Sequence, residues 1–226
     1  MKMHIHIALK SDATFGRGEG VAGLVDEEVE HDPKTGLPYL RGRTLKGLLV
    51  EECANILYAL QRQDAKALDM FQEAAAFLFG RPGSTLEDEA RMRVGPALLP
   101  DELREAVEAH VKSKKLDPAE VLESLTAIRR QTAVNEATGA PEEGSLRSVR
   151  VVLRESPFIA SLYFDDTLTE EAKALLAACV LSLRRAGLGR NRGRGRLQAR
   201  LLDENKNDVT AACFQHFCQL VRGEAS

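Results

Sequence analysis

Leu37-Pro38-Tyr39-Leu40-Arg41-Gly42-Arg43-Thr44-Leu45-Lys46-Gly47-Leu48-Leu49 begins extended and ends as a helix. Pro38 and Gly42, with Gly36 just before them, resist helix formation. Beyond them, Leu45, Leu49, Cys53, Ile56, Leu57 and Leu60 recur at the spacing of a single helical face, which predicts a helix to about residue 63. Thr44 suits its N-cap, because a threonine hydroxyl accepts from an unpaired first-turn amide. Arg41, Arg43 and Lys46 bring cations to an end that the helix dipole already makes positive. Free amides, dipole and cations together suit a phosphate group. The same residues also suit an ordinary loop-to-helix junction with solvated side chains.

Upstream, residues 3–9 alternate and read as a strand, residues 11–23 are a glycine-rich loop, and residues 24–30 alternate again while carrying Asp26, Glu27 and Glu28. Pro33 and Gly36 punctuate the turn at 31–36. Downstream, helical patterning returns over residues 64–79, and residues 91–99 read as a short strand. Shorter helical patterns follow at 101–111 and 118–125. Residues 126–152 read as two extended arms with Arg129, Arg130, Arg147 and Arg150 around a turn-rich tip, a protruding hairpin. Residues 157–164 form a strand. Thr169 caps a helix whose buried face is Ala172, Leu175, Leu176, Cys179, Val180 and Leu183. A strand at 197–202 and a helix at 209–222 close the chain. The order predicts an α+β, ferredoxin-like fold. Residues 1–63 and 157–204 are its palm, 64–125 an inserted helical segment, 126–156 a hairpin thumb, and 209–222 a C-terminal helix, all within one domain.

With 44% hydrophobic residues, 226 residues suffice for one large domain. The net charge of -3 rules out a general polycation, so any nucleic-acid binding has to come from local charge. Between Arg184 and Arg200 lie seven arginines and no acid. Within that run, Gly187-Leu188-Gly189-Arg190-Asn191-Arg192-Gly193-Arg194-Gly195-Arg196 follows a helix and precedes a strand. A dinucleotide or Walker loop has the reverse order. In an extended segment Arg190, Arg192, Arg194 and Arg196 would project to one side. Such a row beside exposed backbone amides suits a sugar-phosphate chain, and it also suits a basic loop that merely keeps the surface soluble. The four cysteines have no C-x-x-C spacing and read as reduced, buried thiols of a cytosolic protein. His4 and His6 share a strand face without a third ligand at metal-site spacing, so no resident metal site is expected. No signal peptide or membrane-spanning stretch is present in the sequence, and the expected location is the cytoplasm.

Three motifs, in order, resemble the RAMP subunits of type III CRISPR effector complexes, most of all the backbone subunits that polymerise along the guide RNA. Asp32-Pro33-Lys34-Thr35-Gly36-Leu37-Pro38-Tyr39-Leu40-Arg41-Gly42-Arg43-Thr44-Leu45-Lys46-Gly47 is similar to that family's D-P-x-T-G-x-P-Y-I-P-G-S-S-L-K-G. Asn135-Glu136-Ala137-Thr138-Gly139-Ala140 with Gly144-Ser145-Leu146-Arg147 resembles the tip of its thumb hairpin. Residues 187–196 resemble its C-terminal glycine-rich loop, and Phe79-Gly80 with Arg91-Met92-Arg93-Val94 resembles its helix-to-strand passage. The sequence departs from the family at Arg41-Gly42-Arg43-Thr44, where the family has Pro-Gly-Ser-Ser.

The resemblance implies a partner, the guide RNA (crRNA), held by Arg41, Gly42, Arg43, Thr44 and Lys46, by Gly189, Arg190, Arg192, Gly193, Arg194 and Arg196, and by Arg130, Asn135 and Arg147 of the thumb. It implies further partners in target RNA, neighbouring RAMP subunits and other type III effector subunits, with no membrane involved. In target-cleaving members an aspartate precedes the D-P-x-T-G turn. That position falls on Asp26, with Glu27 and Glu28 where the family has Asn-Pro. Asp26 is then the catalytic candidate for a metal-dependent endoribonuclease, with a divalent ion, Mg2+, as the implied cofactor. Two other readings stand beside it: a structural or capping subunit that does not cut, and a guide-processing endoribonuclease using His31 as general acid or base.

Overall fold

A computed structural model describes residues 1–81, 89–133, 138–140, 142 and 144–224. In β1 (Lys2–Leu9), Met3, Ile5, Ile7 and Leu9 point into the core, while His4, His6 and Ala8 occupy the other face, as the two-residue period of a strand dictates. The same alternation buries Phe158, Ala160, Leu162 and Phe164 of β5 (Pro157–Phe164) and Leu197, Ala199 and Leu201 of β6 (Leu197–Leu202). With β2 (Met92–Leu98) these strands form one antiparallel sheet in the order β2-β5-β1-β6. In register, Ile5 lies between Ala160 of β5 and Leu201 of β6.

Two crossovers, each carrying a helix, make this a ferredoxin-like palm. The first leads from β1 through α1 (Gly42–Arg62) and α2 (Leu68–Phe79) to β2. The second leads from β5 through α5 (Glu170–Ser182) to β6. Segment 64–125 is therefore not purely an inserted helical unit. Its α3 (Asp101–Lys112) and α4 (Pro118–Leu125) are additions, but β2 belongs to the palm sheet because Met92 and Ala97 bury their side chains against the core. Helix α5 is buried nearly all round and packs against α1, α2 and the closing α6 (Thr210–Arg222). Phe71 of α2 meets Phe217 of α6 at a centroid distance of 4.8 Å. Thr169 caps α5 as its sequence suggests, accepting from the Ala172 amide at 3.2 Å. The cysteines are unpaired, Cys53 and Cys179 buried but Cys213 and Cys218 only half-buried. Among the described residues no helix is long and apolar enough to cross a membrane.

The arms of the hairpin are β3 (Thr126–Gln131) and β4 (Arg147–Val152), a separate two-stranded antiparallel sheet. Two loop segments fasten its base to the palm. Ala13 exchanges backbone hydrogen bonds with Val152 at 3.0 and 2.7 Å. Residues 26–28 run beside β4: Asp26 N–H donates to the Ser148 carbonyl at 2.8 Å, and Arg150 N–H to the Glu27 carbonyl at 3.0 Å.

Under this seam the Glu28 carboxylate faces the Arg150 guanidinium at 2.8 Å, with side-chain exposures of 3% and 7%. Glu28 also accepts from the Val29 amide at 2.8 Å, and Arg150 also donates to the Thr126 hydroxyl at 3.2 Å. A buried pair this well bonded recovers its desolvation cost, whereas a lone survivor of it would not. Glu28→Gln is accordingly expected to cost about 3–5 kcal/mol in urea denaturation. The double replacement Glu28→Leu/Arg150→Met should recover most of that loss.

Candidate nucleic-acid interface

Helix α1 starts three residues earlier than its sequence suggests, since the N-cap expected at Thr44 falls on Arg41. The N-cap is Arg41, with φ -58° and ψ 136°, and Leu45 N–H donates to the Arg41 carbonyl at 3.0 Å. Thr44 therefore stands exposed inside the first turn. The early start is a packing effect: a Cβ on Gly42 would overlap the Val94 carbonyl of β2, so only glycine lets the first turn lie this close to the sheet. No side chain caps the helix and its first turn holds no acid. The N-terminal amides thus remain a site of positive potential.

Arg41 lies 2.5 Å from Glu30 Oε2, with its guanidinium 55% exposed, and the Tyr39 hydroxyl donates to Glu30 Oε1 at 2.9 Å. Burial, reinforced by that carboxylate, raises the Tyr39 phenol above its ordinary pKa, so it stays a donor.

The glycine-rich loop does not run extended. Arg190–Arg192 form a turn of 3-10 helix between two left-handed glycines, Gly189 and Gly193. The loop is pinned where backbones cross: a Cβ on Gly187 would overlap the Thr14 carbonyl, and one on Gly195 the Ala186 carbonyl, with φ at +88° and +68°. The turn breaks the expected single row of guanidiniums. Arg190 reaches back to Glu51 of α1, with Nη1 3.1 Å from Oε2, while Arg192 and Arg194 face the thumb. Arg196 lies on the other side, in a cleft with Arg184, Arg185 and Arg200. Nor is the run without counter-ions. Glu51 pairs with Arg190, and Asp208 with Arg200 at 3.3 Å. Among the described residues Arg192, Arg194 and Arg196 make no ion pair.

Three clefts share these residues and so form one groove. A cavity of about 230 Å³ joins Arg41 and Thr44 of α1 to Gly187, Leu188 and Arg190. A second, of about 530 Å³, joins residues 187–190, Arg192 and Arg194 to Gln131, Arg147 and Val149 of the thumb and to Glu27. A third, of about 690 Å³, continues past Arg192 and Arg194 to Lys10, Arg129 and Arg154. The groove runs from the start of α1, along the glycine-rich loop, to the thumb base; its arginines and Lys10 outnumber its acids, Glu27, Glu30, Asp12 and Glu155, and apolar side chains such as Phe15, Leu48, Leu188 and Val149 complete the wall. Such a wall matches a phosphodiester chain in charge and in donor geometry.

Several candidates stand apart from this groove. Arg43 is exposed and Lys46 half-buried on α1, and neither lines the three cavities; Arg130 is exposed on β3, opposite Ser148. Asn135 lies outside the described residues. Asp26 is exposed, but its Oδ2 accepts from the Ser148 amide at 2.6 Å, so one carboxylate oxygen is committed to the thumb. His31 is half-buried with Nδ1 2.9 Å from the Val29 carbonyl, away from the three cavities. Sequence reasoning missed Gln131 and Leu188 as groove residues, and it set Glu27 aside as a neighbour of Asp26. Only the pairing of residues 26–28 with β4 reveals which of the three acids turns into the groove.

The fold is shared with known assemblies. Over 90% of this chain and 98% of the other, it superposes on a chain in the cryo-EM structure of type III-B Cmr-beta in the apo state, with a TM-score of 0.61 and 13% identity. A chain of type III-B Cmr-beta bound to cognate target RNA gives a TM-score of 0.60 and 14% identity, over 89% and 97% of the two chains. No curated relative matches its sequence. The model of the RAMP superfamily matches residues 7–198, most of the molecule, and the chain belongs to that superfamily.

Proposed function

We propose that this chain is a guide-RNA-binding backbone subunit of a type III RNA-guided effector complex, and that it cuts the target RNA paired to the guide. The observation that carries the binding half is the continuous groove, in which an uncapped helix start, a glycine-rich loop with unpaired arginines and the thumb base line one path. Neutralising phosphates there releases counterions, which makes binding salt-dependent. The likeness to a chain of a complex bound to cognate target RNA supports the same reading.

For cutting, Asp26 is the candidate. With Oδ2 tied to the Ser148 amide, the carboxylate has a fixed orientation and Oδ1 is left to accept from a ribose hydroxyl. In the proposed step the 2'-oxygen bonds to the adjacent phosphorus and the bond from phosphorus to the 5'-oxygen breaks. The proton leaves the 2'-hydroxyl and one is delivered to the departing 5'-oxygen. The products are a 2',3'-cyclic phosphate and a 5'-hydroxyl. Catalysis of this kind depends largely on positioning. The divalent ion that the resemblance implies finds no protein cage among the described residues, since no group of three His, Cys, Asp or Glu side chains comes together. No step is routed through it. A non-cutting, structural subunit is the second reading, and the same Asp26 to Ser148 bond favours it, because that bond alone gives Asp26 a role in fastening the thumb.

Two outcomes are expected. Arg192→Glu/Arg194→Glu should weaken RNA binding and lower the slope of log affinity against log salt by about 1.4, at roughly 0.7 per lost phosphate contact on a single strand. Equilibrium titrations across a salt series measure it. Asp26→Asn keeps an oxygen for the Ser148 amide while removing the charge. In a reconstituted complex it should slow target cutting about 100-fold or more, with assembly and target affinity near wild type. Gel analysis of end-labelled target gives the rate. Cutting at the wild-type rate by this variant, or no cutting by the wild-type complex, would establish the structural reading.

A further inference from the structure

The three consecutive acids at 26–28 have different fates. Asp26 is bonded to the Ser148 amide at 2.6 Å, and Glu28 is buried against Arg150. Glu27 has neither arrangement. Its backbone is fixed beside β4, with the Glu27 carbonyl accepting from Arg150 N–H at 3.0 Å and a bridge to Val149. Its side chain lines the cleft of about 530 Å³ between the thumb and the glycine-rich loop. Among the described residues, Arg147, Arg190, Arg192 and Arg194 are the cations of that cleft and Glu27 is its sole acid. Among the described residues Glu27 makes no ion pair, although arginines share its cleft.

A carboxylate at neutral pH only accepts hydrogen bonds, and beside a phosphate it repels. Its presence in a phosphate-binding wall is useful only toward a donor that accompanies the phosphates. A nucleic-acid strand offers two kinds, base N–H groups and the ribose 2'-hydroxyl. Beside Glu27 the wall carries four guanidiniums and the backbone of Gly187 and Gly189, which follow the sugar-phosphate chain, against two amide side chains, Gln131 and Asn191, of the kind that read base edges. A sugar donor is therefore the closer match, and the 2'-hydroxyl is the group that distinguishes RNA from DNA.

We propose that Glu27 accepts a hydrogen bond from a ribose 2'-hydroxyl of the strand lying in this cleft, and so selects RNA over DNA. The proposal rests on the RNA-binding reading above and adds a discriminating residue to it. Removing the carboxylate has two opposed effects: it deletes the sugar contact, which RNA alone can make, and it deletes a repulsion felt by both nucleic acids.

The test is the ratio of affinities of the purified chain for labelled single strands of identical sequence, one ribose and one 2'-deoxyribose. A hydrogen bond to a charged group is worth about tenfold or more in affinity. Wild type should favour RNA by at least that factor. Glu27→Ala should lower the RNA-to-DNA ratio about tenfold, with DNA affinity unchanged or raised. RNA strands carrying one 2'-deoxy sugar at successive positions should show a position that matters to wild type and not to the variant. An unchanged ratio in Glu27→Ala, or equal losses for both strands that follow base identity, overturns the proposal while leaving RNA binding intact. Failure of wild type to bind RNA overturns the RNA-binding reading and this proposal together. Thermal unfolding of the variant at the wild-type temperature shows that the seam at Glu28 is undisturbed.

Discussion

The buried pair between Glu28 and Arg150 joins two parts of the chain that are 122 residues apart in sequence. It fastens the base of the thumb to the segment that enters the D-P-x-T-G turn. Every further contact of that seam follows from it. With Glu28 facing inward, the alternation of an extended chain turns the adjacent Glu27 to the other side, and Asp26, outside regular strand geometry, is held at the Ser148 amide. The bond from Ser148 to Asp26 and the position of Glu27 in the groove are then set in the same register. The Thr14 hydroxyl donates to the Arg150 carbonyl at 3.0 Å, and Leu188 N–H donates to the Thr14 carbonyl at 2.9 Å. Thumb, acidic segment and glycine-rich loop are thereby linked through bonds between consecutive neighbours. A slip of one residue in the seam would place a carboxylate where a valine packs.

Charge in the groove is arranged in two grades. Arg41 faces the buried carboxylate of Glu30, whereas Arg129 with Asp12 and Arg190 with Glu51 are pairs whose guanidiniums are half-exposed. Exposed pairs of this kind are worth about 0–1 kcal/mol, so a phosphate can replace the carboxylate at little cost. Until then they hold the side chains in place. Arg192 and Arg194 have no such partner among the described residues and carry the uncompensated charge. This division lets a chain of net charge -3 present a strongly basic surface along this path.

Much of the palm was legible in the sequence, because burial on one face imposes a period. Met3, Ile5, Ile7 and Leu9 name a strand, and Leu45, Leu49 and Cys53 a helix face, without reference to anything distant. The remainder depended on contacts that no local pattern carries. The start of α1 at Gly42 is decided by β2, which lies about fifty residues on and needs a glycine beneath its Val94 carbonyl. The alternating arginines at 190–196 read as an extended row, but two left-handed glycines fold them into a turn and send Arg196 to another face. The acids at 26–28 read as interchangeable. Their separation into a bonded, a groove-facing and a buried carboxylate is made by a strand more than a hundred residues downstream.

The central claim is that RNA follows the groove from the start of α1, past the glycine-rich loop, to the thumb base. The most direct measurement is photochemical crosslinking of a bound single-stranded RNA followed by mass spectrometry of the linked peptides. The account predicts crosslinks in peptides containing residues 41–46, 147–150 and 187–194. Crosslinks concentrated instead on the sheet face that carries His6, Ser161 and Tyr163, with none at 187–194, would contradict it.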